Sequence, residues 1–306
     1  MKIDNLNQLL EVRHTNKMKL AVIASHDEGV LEAVVKASER GIVEPILIGD
    51  QNRTREIANQ LEIKVDRYEI IHEENLERAA ELGVKLIREG KADFIMKGLI
   101  DTSTLLKAVL NKEWGLRTDS LLSHVMVYEV PSYHKLIYLT DGGMNLSPST
   151  EQKVKIIENS VIVAKALGNE TVKIACLAAK EKVDLKMDAT VQAMELKEKY
   201  LNGEFEDGVI VDGPMALDLA VSKDSAKIKG YRSDVAGDAD VLLVPNIEMG
   251  NGIGKSITYF AGGKSAGIIM GAKVPIVLVS RADTYETKLY SIALGSIISN
   301  YIGQSN

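Results

Sequence analysis

The chain has 306 residues, of which 45% are hydrophobic and 26% charged, and its formal net charge is −6 at pH 7. This composition is typical of a globular protein, and the length predicts two domains. The acidic balance argues against a nucleic-acid surface, although it allows a local basic pocket for an anionic ligand. No apolar run approaches the ~20 residues that cross a bilayer, and the charged N-terminus is unlike a secretion signal, so we expect a cytoplasmic protein outside the membrane.

The N-terminal part of the chain alternates apolar runs with amphipathic patterns, which predicts a parallel α/β domain. The predicted strands are 19–24, 43–48 and 94–96, and the predicted helices are 28–40, 75–89 and 102–110. The third strand ends at Lys97-Gly98. Ligands collect at the carboxyl ends of such strands, so Lys97 is a candidate anion-binding residue.

Farther along, two apolar runs at 125–130 and 136–139 predict a hairpin. Residues 141–150 are rich in Gly, Pro, Ser and Asn and predict a linker, after which a helix runs to Leu167. A second α/β alternation then follows. Its predicted strands are 172–177, 209–211 and 241–244, and its predicted helices are 189–201, 215–221 and a closing apolar helix at 285–302.

Cysteine and histidine usage restricts the chemistry. Cys176 is the single cysteine, which excludes an intramolecular disulfide and a thiolate metal cluster. It lies inside a predicted strand, where a buried, inert thiol is favoured. The five histidines show no paired metal-ligand spacing, so we predict no metal site.

The segment 234–283 carries the strongest functional signal. The apolar runs 241–244 and 274–279 each lead into a polar turn, at the strand ends where α/β proteins bind ligands. Seven of the 24 glycines fall in the 22 residues from Gly250 to Gly271. That density indicates backbone held close to a ligand or to packed helices.

The first turn, 250–256, resembles a nucleotide-binding P-loop, but it has three residues where the motif needs four before Gly-Lys. The dinucleotide pattern fails as well, because Lys255 stands at the third glycine position. A glycine-rich turn at a helix N-terminus can still bind an anion. Two readings remain open: Gly250, Asn251 and Lys255 contact a ligand, or the turn is structural and Lys255 is solvated.

The second turn, after the run 274–279, contains Ser280 and Arg281. A hydroxyl, a guanidinium and the free N–H groups of a following helix could converge on one tetrahedral anion. Asp283 and Glu286 follow at once and are candidate general bases. The alternative is structural, since Asp-x-x-Glu before an apolar helix is the pattern of a capping box.

Several blocks in order resemble the phosphate acetyl/butyryltransferase family, in particular its phosphate butyryltransferase branch. The resemblance covers nearly the whole chain. The blocks are Met96–Thr104, Leu110–Arg117, Asp212–Asp218, Ala236–Asp240, Pro245–Asn251 with Lys255, and Ser280–Asp283.

The resemblance implies reversible transfer of a short acyl group between coenzyme A and inorganic phosphate, giving an acyl phosphate that a partner kinase can use. It implies an α/β fold class of two three-layer α/β/α domains with mainly parallel sheets and an interdomain cleft, and a homodimer. The expected domains are residues 1–142 plus 270–306, with the last helix returning to the first domain, and residues 143–269. Coenzyme A is expected as a substrate, with no tightly bound cofactor.

The resemblance also assigns the site. Ser280 and Arg281 match the family's active-site pair, and Arg117 matches a second ligand-binding arginine. The acetyltransferase relatives carry an Asp base seven residues beyond the Ser, where this chain has Thr287. The predicted catalytic residues are Ser280, Arg281, Asp283 and Glu286, and the predicted phosphate- or CoA-binding residues are Lys255, Asn251, Gly250, Arg117, Lys97 and Ser123.

Three alternatives stay open. The chain could be a phosphate acetyltransferase proper, because a pocket separates acyl groups that differ by one methylene by only ~1 to 3 kcal/mol. It could be a non-catalytic acyl-CoA- or phosphate-binding protein, because Thr287 stands where the family has its proposed base. A metal- and NAD-dependent decarboxylating dehydrogenase is disfavoured, because no acidic metal cluster can be assembled from the sequence.

Overall fold

The structure, a computed structural model, describes residues 2–280 and 283–305. The first elements are α1 (Leu6–Leu9), β1 (Met18–Ile23), α2 (Glu28–Glu39), β2 (Val43–Gly49), α3 (Gln51–Gln60), β3 (Glu69–His72), α4 (Leu76–Arg88), β4 (Phe94–Lys97) and α5 (Thr102–Val109). The next are β5 (Ser123–Glu129), β6 (Ile137–Thr140), α6 (Thr150–Ala166), β7 (Val172–Leu177), α7 (Asp188–Leu201), β8 (Val209–Met215), α8 (Leu217–Val221), α9 (Lys223–Ile228), β9 (Val241–Leu243) and α10 (Ile247–Tyr259). The last are β10 (Lys264–Met270), β11 (Ile276–Val277) and α11 (Tyr285–Ser305).

The fold is α/β with largely parallel strands, and the chain divides into two compact units. The terminal unit comprises Leu6–Ser120 and the chain from Ala266 onward. The central unit comprises Leu121–Ser265 with the N-terminal residues up to Asn5. Residues 121–142, which the sequence analysis assigned to the first domain, thus group with the central unit, because β6 pairs in parallel with β9.

In the terminal unit the strand order is β3-β2-β1-β4-β11-β10. All neighbours are parallel except β10 and β11, which are antiparallel. The inner strand β4 is wholly buried and β1 is buried from Leu20 to Ile23, which explains the apolar runs of these strands. The register pairs Ile23 with Lys97 and Met96 with Val277, so β1, β4 and β11 end at one edge.

In the central unit the strand order is β5-β6-β9-β7-β8. The predicted hairpin is confirmed, because β5 and β6 pair antiparallel with Met126 opposite Leu139. The other neighbours are parallel. The predicted start of the long helix is also confirmed: Ser149 and Gln152 form a reciprocal capping box at the N-terminus of α6.

Two predicted features are wrong. The run 274–279 forms only the two-residue strand β11, and its Pro275 lacks an N–H for pairing, while the strand β10 just before it was not predicted. The turn predicted over 250–256 is helical, since α10 already begins at Ile247 with Asn246 as its N-cap. Of the predicted linker 141–150, residues 141–149 form an irregular segment between β6 and α6, and Thr150 begins α6.

Candidate active site

The carboxyl edge of the terminal unit carries Lys97 and Ser280. Lys97 ends β4, is 7% exposed, and donates its Nζ–H to the carbonyl oxygen of Gly98 at 3.3 Å. Gly98 is required there, because a Cβ would lie 2.2 Å from the carbonyl oxygen of Ala24. Ser280 follows the neighbouring strand β11 and is exposed. The two predicted site residues therefore lie at the ends of adjacent parallel strands.

The loop after β11 is closed by Asp283. The backbone N–H of Ser280 donates to Asp283 Oδ2 at 2.7 Å, and the N–H of Asp283 donates to the Ser280 carbonyl oxygen at 3.1 Å. Arg281 lies outside the described residues, so its predicted role stays a prediction. One oxygen of the proposed base is thus engaged with the backbone of the proposed catalytic serine.

The N-terminal cap of α11 is not the Asp283–Glu286 capping box that the sequence suggested. Thr284 Oγ1 accepts the N–H of Thr287 at 3.2 Å and donates to Thr287 Oγ1 at 3.1 Å. The predicted capping box of Asp283 and Glu286 is therefore wrong, and Thr287, which stands where the resemblance implies an Asp, has a local structural role. Glu286 is exposed in the first turn of α11.

Arg117 is held by its backbone. It forms an isolated antiparallel bridge with Ala272, and the adjacent Thr118 hydroxyl donates to the Gly271 carbonyl oxygen at 2.7 Å. The side chain of Arg117 is exposed. This segment belongs to the terminal unit, as do Lys97 and Ser280.

Asn251 and Lys255 lie in the central unit, on α10. They are four residues apart and both exposed, so they share one face of the helix. Within the described part of the chain, Lys255 has no ion-pair partner. Lys255 stands two turns beyond the start of α10, so it does not join the free N–H groups of that helix N-terminus.

Gly250 serves packing. A Cβ there would lie 2.6 Å from Gly142 Cα and 2.9 Å from Val244 Cγ2. Gly142 belongs to the loop after β6, in which buried Asp141 accepts the N–H groups of Gly143 and Met144 through Oδ1 at 2.8 and 2.9 Å. The sequence analysis took this loop for a linker, and its Gly-Gly pair was the signal of a close backbone approach.

Ser123, a predicted ligand residue, is fully buried at the start of β5. Its hydroxyl accepts a hydrogen bond from Asn159 Nδ2 at 2.8 Å, and the same amide donates to the Leu121 carbonyl oxygen at 2.8 Å. The hydroxyl therefore ties α6 to β5, and we do not carry Ser123 into the proposed site.

Two buried reactive groups lie together in the central unit. Burial raises the pKa of the Cys176 thiol to about 12, so it stays protonated, in agreement with the predicted inert thiol. Burial lowers the pKa of Lys153 to about 8, and its amine donates to Gln192 Oε1. They line a cavity of about 10 Å³, which is too small to hold more than a water molecule.

Within residues 2–280 and 283–305, one group has the make-up of a metal site: Asp50, His72 and Glu74, whose ligand atoms lie within 4.8 Å of one another. The group is largely exposed, and Asp50 Oδ1 already caps α3 through the N–H groups of Asn52 and Arg53.

No helix in the described part of the chain is both long and apolar enough to span a membrane.

Known proteins share this fold. The crystal structure of a branched-chain phosphotransacylase from Enterococcus faecalis V583 superposes with a TM-score of 0.81 at 33% sequence identity, covering 92% of this chain and 99% of that one. The fold is therefore of the phosphotransacylase class.

The sequence comparisons narrow this class to a family. The model of the family described as Phosphate acetyl/butaryl transferase matches residues 5–82 and 72–296, and the chain belongs to this family. A phosphate butyryltransferase from Clostridium acetobutylicum is 43% identical over 97% of this chain and 99% of its own length. A phosphate acetyltransferase from Thermotoga maritima is 42% identical over 96% and 99% of the two chains.

Proposed function

We propose that the chain reversibly converts a short-chain acyl-CoA, with butyryl-CoA as its preferred substrate, and inorganic phosphate into an acyl phosphate and coenzyme A. It is an acyltransferase of the phosphate butyryltransferase type. The observation that carries the acyl transfer to phosphate is family membership. The butyryl preference is supported by identities of 41–47% to three relatives named as phosphate butyryltransferases, one of them as probable.

The forward reaction joins a phosphate oxygen to the acyl carbon. The carbon–sulfur bond breaks, and the sulfur of coenzyme A leaves as a thiolate that takes up a proton. In the reverse direction the sulfur attacks the carbonyl carbon of the acyl phosphate, phosphate leaves, and a carboxylate accepts the thiol proton. Stabilising the charge that develops on phosphate and carbonyl is the main catalytic demand, and one well-placed donor contributes ~3 kcal/mol.

We assign roles to the residues of the terminal unit accordingly. Ser280 orients the nucleophile or the carbonyl, and Arg281 neutralises the phosphate, with Arg117 and Lys97 as further anion-binding residues. Glu286 is exposed and accepts the thiol proton. Asp283 is the weaker base, because Oδ2 already accepts the Ser280 N–H.

The central unit has its own predicted ligand residues. The exposed ammonium of Lys255 and the exposed Asn251 side chain, on one face of α10, are suited to bind a phosphate group. Gly250, in the same helix, packs against Gly142 and has no assigned ligand contact. The homodimer, the cytoplasmic location, coupling to an acyl kinase and the lack of a tightly bound cofactor stay predictions, as does the arrangement in two three-layer domains.

A thiol-release assay tests the proposal. Butyryl-CoA is supplied with and without phosphate to the wild type, to Arg281→Ala and to a control, Arg55→Ala, whose exposed guanidinium pairs with Asp66. We expect release that requires phosphate, falls about a hundredfold in Arg281→Ala and is unchanged in the control. Coenzyme A binding without any phosphate-dependent release would contradict the transferase and favour a binding protein.

A second candidate substrate is acetyl-CoA. The 42% identity to a phosphate acetyltransferase is nearly as high as that to the butyryl enzyme, so overall identity does not separate the two acyl groups. The same assay with acetyl-CoA decides between them, and a higher kcat/KM for acetyl-CoA would replace the butyryl assignment.

A further inference from the structure

Lys288 is an ammonium buried inside the terminal unit. It lies in the first turns of α11 and is 5% exposed. Within the described part of the chain it forms no ion pair with any carboxylate. Burying a lysine without a counter-charge costs several kcal/mol, so stability alone does not account for this residue.

The amine of Lys288 contacts the loop that follows β11. Its Nζ donates to the carbonyl oxygen of Asp283 at 2.5 Å. Asp283 in turn holds both the N–H and the carbonyl oxygen of Ser280. A continuous set of hydrogen bonds therefore leads from the buried ammonium to the backbone of the proposed catalytic serine.

The ammonium end of Lys288 also lies close to α2. The Nζ and Cε atoms lie 3.4 Å from the position that a Cβ of Gly29 would occupy, in the first turn of that helix. Because α11 packs against α2 in this unit, the lysine stem has little freedom to move. The ammonium therefore reaches the loop from a rigid support rather than from a flexible surface.

We propose that Lys288 is a positioning residue of the acyl transfer, which fixes the Ser280–Asp283 loop through the Asp283 carbonyl and so places Ser280 for reaction. This inference rests on the proposed function, and it adds a residue to which neither the family match nor the sequence analysis gives a role. Misplacement of a reacting group by about 1 Å costs up to ~100-fold in rate, so a loop held through this ammonium is sensitive to its loss.

The test compares Lys288→Met and Lys288→Arg with a matched control, Lys153→Met, which removes another buried lysine amine. We expect Lys288→Met to keep its thermal midpoint near that of the wild type and to lose about 10- to 100-fold in kcat, with little change in KM for butyryl-CoA. Lys288→Arg should recover part of the loss, and Lys153→Met should keep the wild-type kcat.

A second readout does not depend on catalysis. Hydrogen exchange of the Ser280 and Asp283 amides reports their two hydrogen bonds directly, and we expect it to be at least about tenfold faster in Lys288→Met and unchanged in Lys153→Met. If Lys288→Met does not fold, Lys288→Gln, which keeps a donor group, is measured in its place.

The outcomes are distinct. A folded Lys288→Met with wild-type kcat or wild-type exchange in the loop overturns the positioning role. A fall in kcat matched by an equal loss in the control also overturns it, because the effect would then follow from removing any buried lysine. Absence of phosphate-dependent thiol release in the wild type instead overturns the proposed function, and the exchange measurement still reports on Lys288.

Discussion

Asp283 uses its carboxylate to close the loop after β11. Oδ2 accepts the Ser280 N–H at 2.7 Å, so the residue has a structural role whether or not it also accepts a proton. A hydrogen bond to an ionised acceptor contributes about 1.5–3 kcal/mol, which is enough to hold the Ser280 backbone beside Asp283. Holding the Ser280 N–H needs only an acceptor oxygen at residue 283, whereas accepting a proton needs a carboxylate. Substitutions of Asp283 can therefore separate the two roles.

Asp283→Asn keeps an oxygen that can accept the Ser280 N–H but removes the basic carboxylate. We expect its kcat to stay within about threefold of the wild type, whereas Asp283→Ala loses the bond and falls about tenfold or more. Steady-state thiol release, together with thermal unfolding of each variant, checks this. A folded Asp283→Asn that is as inactive as Asp283→Ala would identify Asp283 as the base and remove that role from Glu286.

At the residue scale, sequence reasoning located the segment 280–286 but not its internal bonds. The spacing of Asp283 and Glu286 predicted a capping box, and the cap is instead Thr284 with Thr287. Asp-x-x-Glu and Thr-x-x-Thr are both compatible with the start of a helix. The path of the backbone decides which side chain reaches the free N–H groups. Lys288 was missed because its burial depends on α2, which is remote in sequence.

The helix α10 shows why its glycines are not equivalent. Gly250 packs against the backbone of Gly142, whereas a Cβ at Gly252 would meet no atom within 4 Å. Glycine in a helix interior costs roughly 0.5–1 kcal/mol relative to alanine. That cost is explained by packing at Gly250, and nothing in the described part of the central unit explains it at Gly252.

The paired substitutions Gly250→Ala and Gly252→Ala test this difference. Gly250→Ala should lower the free energy of unfolding by about 1–3 kcal/mol through overpacking, and Gly252→Ala should raise it by about 0.5–1 kcal/mol. Urea denaturation measures both. A stabilised Gly250→Ala would contradict the packing account, and a stabilised Gly252→Ala with lost activity would place substrate against that face of α10.

The strand starts of the central unit are joined by an ionic cluster around Asp238. Its carboxylate contacts Lys173 Nζ at 2.6 Å, His134 Nε2 at 2.7 Å and Lys135 Nζ at 3.2 Å. Burial raises the pKa of Asp238, but the hydrogen bonds from Lys173 and His134 and the charge of Lys135 outweigh it, so the pKa is well below its usual value of 3.8. The ionised carboxylate therefore stabilises the folded state.

Because the folded-state pKa is lowered, this contribution is fully present above pH 3.8 and is lost as the pH falls below it. Asp238→Asn should lower the free energy of unfolding by about 1 kcal/mol at pH 7, and the difference from the wild type should shrink below pH 3.8. Denaturation at several pH values measures it, with Glu206→Gln, an exposed partner of Lys165, as control. A difference that is constant with pH would contradict the ionic account.

At the scale of the whole molecule, the α/β alternation was predictable because the hydrophobic periodicity and the capping residues of each strand and helix are local in sequence. The start of α6 at Ser149 and the β5–β6 hairpin are examples. The grouping of residues 121–142 with the central unit was not, because it depends on β6 pairing with β9, about a hundred residues later. Strand β10 was missed since its glycine-rich surroundings favoured turns.

Acyl selectivity also belongs to the whole molecule, since a pocket wall is formed by packing rather than by a motif. Two additional methylenes separate butyryl from acetyl, and each is worth ~1 to 3 kcal/mol in an apolar pocket, so kcat/KM should favour butyryl-CoA over acetyl-CoA by at least about 30-fold. Phosphate-dependent thiol release across acetyl-, propionyl-, butyryl- and isobutyryl-CoA measures this. The rate should rise in steps to the four-carbon chain, because each methylene adds buried apolar area until the pocket is full. A flat series would mean that the acyl chain stays in solvent, and a maximum at acetyl-CoA would identify a short pocket and assign the chain to the acetyl branch.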